Sequence, residues 1–230
     1  MICSKKEILI VRSTKNMPDF KLEQPRLSSH LEEILPEYLE DELMIQQNLI
    51  RETSLSDGSY ASLVFEKSHF YKVDFSSNFF QRFEVVDCLF ESCDFSNIEW
   101  IGASFHRCIF KNCKLTGANF AESLLQNCQF IDCNIPYASF NFTQLKRVYF
   151  SDCHLDYSEF NDIKWNNLEI HQCQLNKTTW VNTALNKLNL SSCQFETISL
   201  SPDLIRGLII NYEQMITVGL TLGLVLDEPR

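Results

Sequence analysis

From Tyr60 to Leu200 every fifth residue of the chain is apolar. The 29 positions read Y F F F F V F F W F F L F L F I F L F L F W I L W L L F L. With 45% of the chain apolar, chance produces such a run with a probability of roughly 10⁻¹⁰. All three tryptophans (Trp100, Trp165, Trp180) and 14 of the 18 phenylalanines stand on this comb. A second comb lies two residues before each centre, and from Cys88 to Ile198 it holds only small, β-branched or aliphatic residues. The positions after each centre are mostly Ser, Asn, Asp, Lys, Gln or Thr. Neither the 3.6-residue period of a helix nor the two-residue period of a strand explains a sustained period of five.

Units such as Cys93-Asp94-Phe95-Ser96-Asn97 and Ala118-Asn119-Phe120-Ala121-Glu122 resemble the A(D/N)LXX unit of pentapeptide-repeat proteins. The motif is specific when tandem, and it runs unbroken from Leu55 to Leu200. The resemblance implies an all-β fold: a right-handed quadrilateral parallel β-helix with one pentad per side and four per coil. Each pentad is then a short extended side and a turn, with the centre and the small residue two places before it pointing inward. Adjacent coils pair as parallel strands about 4.8 Å apart. Residues twenty apart stack in ladders, and the ladder at 70, 90, 110, 130 and 150 is phenylalanine throughout. Roughly seven coils make a rod about 35 Å long.

This geometry bears on the cysteines. Cys93, Cys113, Cys133, Cys153, Cys173 and Cys193 differ by one coil each, as do Cys88, Cys108 and Cys128, and all nine fall on the small-residue comb. A thiol is compact and weakly polar, suited to a tight apolar corner. A C-x₄-C spacing across neighbouring sides is not a zinc-knuckle pattern. The expectation is core packing, with no metal and no cofactor.

A β-helix leaves an open rung at each end and needs caps. The pattern divides the chain into an arm and capping helix over 1–54, the repeat over 55–200 and a closing tail over 201–230, so short helical caps are expected at both ends. Pro36, the acidic residues after it, and Leu39, Leu43 and Ile50 predict a short helix near 36–46, although the pentad register already enters at Ile45. In the tail Leu208, Tyr212, Met215 and Ile216 make a helical stripe, and Leu222, Leu224 and Leu226 alternate like a strand. The tail resembles that of the quinolone-resistance pentapeptide proteins, where a helix and a short strand close the last coil and build a symmetric dimer. The implied homodimer interface is Leu208, Tyr212, Met215, Ile216, Leu222 and Leu224; the simpler alternative is a cap within one chain.

No Gly-rich phosphate loop, HExxH or GxSxG signature is present, and there are only six glycines, so no enzymatic activity is expected. A net charge of −10 argues against nucleic acid as a partner. Near the start of the chain only Ile8 to Val11 form an apolar run, too short for a signal-peptide core or a membrane span. The protein is therefore read as cytoplasmic. Sorted by side, Arg107, Lys146, Arg147, Lys164 and Lys187 share one side. Glu99, Glu122, Glu159 and Asp162 share another, and Asp74, Asp94 and Asp156 lie on its neighbour. An acidic flank on a stiff rod can imitate duplex DNA. The resemblance implies this for family members that bind DNA gyrase and topoisomerase IV and protect them from fluoroquinolones or toxins. Those carried on plasmids interrupt their coils with loops, whereas this register is unbroken, as in the loopless type. The alternative is an interaction scaffold with some other protein partner.

Overall fold

A computed structural model describes residues 20–35, 44–225 and 227. The chain winds as a solenoid of about eight coils. Every strand pairing is parallel and shifted by twenty residues, apart from one at the first coil: Ile45 faces Phe65, Phe65 faces Val85, and Leu125 faces Leu145, which faces Trp165. Each coil therefore has four five-residue sides. We number them by their centres: the first carries 45, 65 and onward, the second 50, 70 and onward, the third 55, 75 and onward, and the fourth 60, 80 and onward. Strand geometry is best developed on the first two sides, which merge into continuous strands at Leu124–Ile131, Gln144–Ser151 and Lys164–His171. The third side pairs through single bridges such as Asp94 with Lys114, and the fourth through bridges such as Glu99 with Asn119 and two short ladders, Ser59–Tyr60 with Phe79–Phe80 and Thr178–Trp180 with Ile198–Leu200.

Backbone hydrogen bonds explain why the period is five. A centre N–H donates to the carbonyl nineteen residues on, as Phe95 does to Lys114 at 2.7 Å, and the residue before a centre donates back to the previous coil, as Lys114 does to Cys93 at 2.9 Å. Between Gln47 at φ 58° and Lys187 at φ 68° the residue two places after a centre takes the left-handed conformation at every corner but those of Ser62 and Arg82. That turns the chain into the next side. Along the third and fourth sides the turn closes with a hydrogen bond, as from Ala118 N–H to the Leu115 carbonyl at 3.1 Å. Asn, Asp and Gly tolerate this conformation best, and Asn97, Asn112, Asp132, Gly102 and Gly117 are among its occupants.

The interior is a set of aromatic stacks. Rings 70, 90, 110, 130 and 150 follow one another at 4.9, 4.9, 4.8 and 4.7 Å with interplanar angles of at most 15°, the coil spacing itself. The fourth-side ladder meets them edge-on, as Phe130 and Phe150 meet Phe140 at 86° and 87°. Trp165 departs from the comb: it is half-buried, and its indole N–H donates to the Ala184 carbonyl at 2.7 Å. The nine cysteines are buried, and each directs Sγ–H at the carbonyl 23 residues back or at the one two residues back, as Cys113 does with Phe90 at 3.4 Å. Burial pushes the Cys88 and Cys193 thiols up to about 12 and moves Cys108 and Cys153 the same way. Those four thiols are held neutral, as packing groups should be.

The ends differ in part from expectation. Most of the helix expected near 36–46 lies outside the described residues, but Met44–Gln46 (β2) is a strand paired with the first side, and Asn48–Arg51 (β3) pairs with the second. Alternate burial, with Ile45 and Ile50 inside, outweighs local helix preference there. Coil pairing thus starts ahead of Leu55. Upstream, Glu32–Glu33 (β1) pairs with Asn48 and Leu49. At the other end a 3₁₀ turn at Pro202–Leu204 leads to one α-helix, Tyr212–Thr221 (α1). The strand expected at Leu222 and Leu224 is absent: Leu222 caps α1, Gly223 turns at φ 85°, and the Leu224 N–H returns to the Gly219 carbonyl. These N–H groups go to the helix end, so no strand forms there. Leu226 lies outside the described residues. Leu208 precedes α1 instead of standing on it, and its N–H closes a turn on Ile205.

Candidate partner-binding surfaces

With the centres inside, function must be sought in the outward slots, and their burial separates the two opposite corners of the rod. At the corner between first and second sides, slots that face outward are nevertheless buried: Asp87, Arg107, Asn127, Gln129 and Tyr149. Residues 20–34 run over them as an extended strap. The Arg26 backbone N–H donates to Asp87 Oδ1 at 3.0 Å, Glu23 N–H to Asn127 Oδ1 at 3.4 Å, and Gln129 Nε2 to Gln24 at 3.2 Å. Beneath the strap the Arg107 guanidinium grips Asp87 through both carboxylate oxygens, with Nη2 at 2.8 Å, and lies 3.9 Å from Glu23. Burial pushes the Asp87 carboxyl up, but the Arg107 and Arg26 hydrogen bonds outweigh it and hold it below the ordinary range. Arg107 is therefore not the free surface cation that its slot suggested. Arg147 donates to Asn127 at 2.7 Å, which leaves Lys146, Lys164 and Lys187 as the exposed cations of that side. Phe20 continues the strap into an open groove lined by Ile163, Trp165, Lys187 and Ile209.

The opposite half, the third and fourth sides, carries the acidic residues. Asp74 and Asp94 are consecutive in one ladder, which then reads Lys114, Asn134 and His154. Lys114 pairs with Asp94 at 2.9 Å, and His154 with Asp156 at 3.0 Å. Burial raises the Asp94 carboxyl, yet hydrogen bonds from Ser96 and Lys114 bring it below the ordinary value. On the fourth side Glu99 accepts from Asn119 at 2.7 Å and Glu159 from Asn141. Glu122 and Asp162 occupy one corner ladder, two coils apart with Phe142 between them, and carry no ion pair among the described residues. The acids thus share two adjacent sides, as expected, but in clusters separated by neutral or basic rungs.

Aromatic residues occupy three of the corners around this fourth side, and sequence reasoning passed over them because they lie off the comb. Tyr137, Phe142 and Tyr157 are 60%, 61% and 41% exposed. Their signal in the sequence was the bulky ring in a turn slot, repeated twenty residues on.

Of the residues expected at a dimer interface, Leu208 and Leu222 are half-buried against the core of their own chain. Tyr212, Met215, Ile216 and Leu224 are exposed, as is Leu220. The helix instead buries Gln214 and Val218. Gln214 Nε2 donates to the Leu190 and Cys193 carbonyls at 2.8 and 2.7 Å, while its Oε1 accepts from Asn211 N–H in a capping box. One amide therefore closes the last coil and starts the helix.

The model of the pentapeptide repeat region matches residues 103–180. Among solved structures, a trypsin-treated variant of QnrB1, a plasmid-mediated fluoroquinolone resistance protein, is 16% identical. The match covers 80% of this chain and all of that one, with a TM-score of 0.40. HetL, a pentapeptide-repeat protein involved in heterocyst differentiation regulation from the cyanobacterium Nostoc sp. strain PCC 7120, is 15% identical, with 74% and 86% covered and a TM-score of 0.35. No protein of curated function matches the chain. Among the described residues no helix is long and apolar enough to cross a membrane.

Proposed function

We propose that this chain, which carries a pentapeptide repeat region over residues 103–180, is a non-catalytic, cytoplasmic protein-binding rod whose third and fourth sides are its working face. One observation carries this: the corner between the first and second sides is occupied by the chain's own strap, whereas Asp74, Asp94, Glu99, Glu122, Asp156, Glu159 and Asp162 gather on the half that no described segment covers. Asp74 to Asp162 spans between four and five coils, about 21 Å. A basic protein surface is the complement of that face.

A type II topoisomerase, gyrase or topoisomerase IV, is the finer assignment: the rod would stand in the site that otherwise holds DNA. Homodimerisation through the exposed face of α1 would double the rod to about 70 Å, some 20 base pairs. The second reading, a scaffold for another protein, is favoured by the Lys114 and His154 rungs, which break the run of negative charge.

Gyrase supercoiling titrated with the protein, with and without ciprofloxacin, decides between them. Inhibition or drug protection, lost on reversing Glu99, Glu122 and Glu159 to Lys and retained on reversing Lys146 and Lys164, supports the topoisomerase assignment. No effect of wild type at any concentration leaves the scaffold reading.

A further inference from the structure

Of the 25 non-glycine residues in the left-handed corner slot, three are aromatic, and all three border the fourth side. Tyr137, Phe142 and Tyr157 have φ of 60°, 59° and 63°. A large side chain is disfavoured there by contact of Cβ with the backbone, and strain of this kind gathers where function demands it. Nothing in the core compensates, because all three rings are exposed. Water-facing aromatic rings at strained positions are a poor structural choice and a good interface choice, since aromatic and arginine side chains dominate interface energetics.

The arrangement around the rings specifies what they accept. Tyr137 and Tyr157 stack at 4.7 Å and 18°. On the far side of Tyr157, one coil on, Lys177 places its Nζ 4.9 Å from the ring centroid and 3.1 Å from Oη. The ladder thus already seats one cation on one end of the stack. At its other end the neighbouring rung is Gly117, which covers nothing, and the Asn97 Oδ1 acceptor lies 2.7 Å from where a Cβ on Gly117 would be. An exposed ring with no side chain on the next rung, and an amide oxygen on the rung beyond, suits a guanidinium, which stacks on the ring and donates to the oxygen. Acids surround the rings: Glu122 and Asp162 flank Phe142 one coil either way in its own ladder, Glu159 lies between the two corners, and Asp156 precedes Tyr157.

We propose that Tyr137, Phe142 and Tyr157, ringed by Glu122, Asp156, Glu159 and Asp162, are the anchor at which an arginine-bearing segment of a protein partner docks. This deepens the assignment of the third and fourth sides as the working face and rests on it, but it is independent of whether that partner is a topoisomerase. The partner's arginine takes the end of the tyrosine stack opposite Lys177, its apolar side chains cover Phe142, and the acids steer it in.

The test uses the full chain and two labelled probes, nona-arginine and nona-lysine, by fluorescence anisotropy at low and physiological salt. Wild type should bind the arginine probe several-fold more tightly than the lysine probe. The variant Tyr137→Ser/Phe142→Asn/Tyr157→Ser should lose about tenfold in affinity for nona-arginine and most of the arginine preference. Its thermal midpoint should equal or exceed that of wild type, since small polar residues suit the left-handed slot better. The variant Glu122→Gln/Glu159→Gln/Asp162→Asn should weaken both probes alike and flatten the salt dependence. Wild-type preference for lysine or for neither probe, or an aromatic variant that binds within twofold of wild type, overturns the anchor. A midpoint that falls sharply overturns it too, because the rings would then be structural. Inert gyrase with intact aromatic-dependent binding removes the topoisomerase assignment alone; active gyrase with dispensable rings removes the anchor alone.

Discussion

Two corners of the same rod, built from the same five-residue unit and the same left-handed turn, meet water in opposite ways. The corner between first and second sides places Asp87, Arg107 and Asn127 in its turn slots and buries them under residues 20–27. The corner between third and fourth sides places Tyr137 and Tyr157 in the equivalent slots and leaves them bare. Polar groups lie covered where apolar ones would be conventional, and aromatic ones are exposed where polar ones would be. The repeat dictates only the inward residues. Outward slots are free to vary, and what covers them decides whether a slot stabilises the fold or presents a surface.

This contrast can be broken most drastically from inside. Phe130→Ala removes a ring stacked on both Phe110 and Phe150, and should cost about 3–5 kcal/mol in denaturant unfolding, with both corners lost together in one transition. If the strap melts separately, the two corners are energetically uncoupled.

Next in size is the covered corner alone. Arg107→Ala leaves the Asp87 carboxylate buried without its cation, at a cost of about 3 kcal/mol or more. Hydrogen exchange should show the Arg26 and Glu23 amides opened while the centres stay protected. The same contact gives a pH dependence. The folded Asp87 carboxyl lies below its ordinary value, so its contribution is present above the usual carboxylate range and is lost as pH falls through it. Acid titration of the strap amides should show protection declining below about pH 4, and Asp87→Asn should remove that step.

The smallest effect belongs to the bare corner. Glu122→Gln and Asp162→Asn change exposed or half-exposed groups without an ion pair among the described residues, and unfolding free energy should move by no more than about 0.5 kcal/mol. A larger loss would mean that this corner too is structural.

The inward half of the molecule was legible because burial is periodic: Phe70 to Phe150 stack as the spacing implied, and Cys93 to Cys193 lie on the tight inner corner. Side membership of the acids was legible for the same reason. The covered corner was not. Its contacts join Arg26 to Asp87 and Glu23 to Asn127, 61 and 104 residues apart, and no period relates an extended strap to the coils it crosses. Arg107 therefore read as an exposed cation. The tail was misjudged at Leu222 to Leu224 because alternation of apolar residues over so few positions fits a helix end with a glycine turn as well as a strand.

The direction of the strap has a consequence for how the protein is made. Its residues leave the ribosome before the coils, yet their docking sites are synthesised in the reverse order. Glu32 and Glu33 can pair once Asn48 and Leu49 exist, Arg26 must wait for Asp87, Glu23 for Asn127, and Phe20 for the groove at Ile163 to Ile209. Domains fold as they emerge, N-terminal parts first, so each completed coil offers the next foothold and the strap closes backwards like a zip, one rung per twenty residues translated. Until then the polar slots of each new coil remain wet, and the nascent rod is held to the strap by the part already fastened.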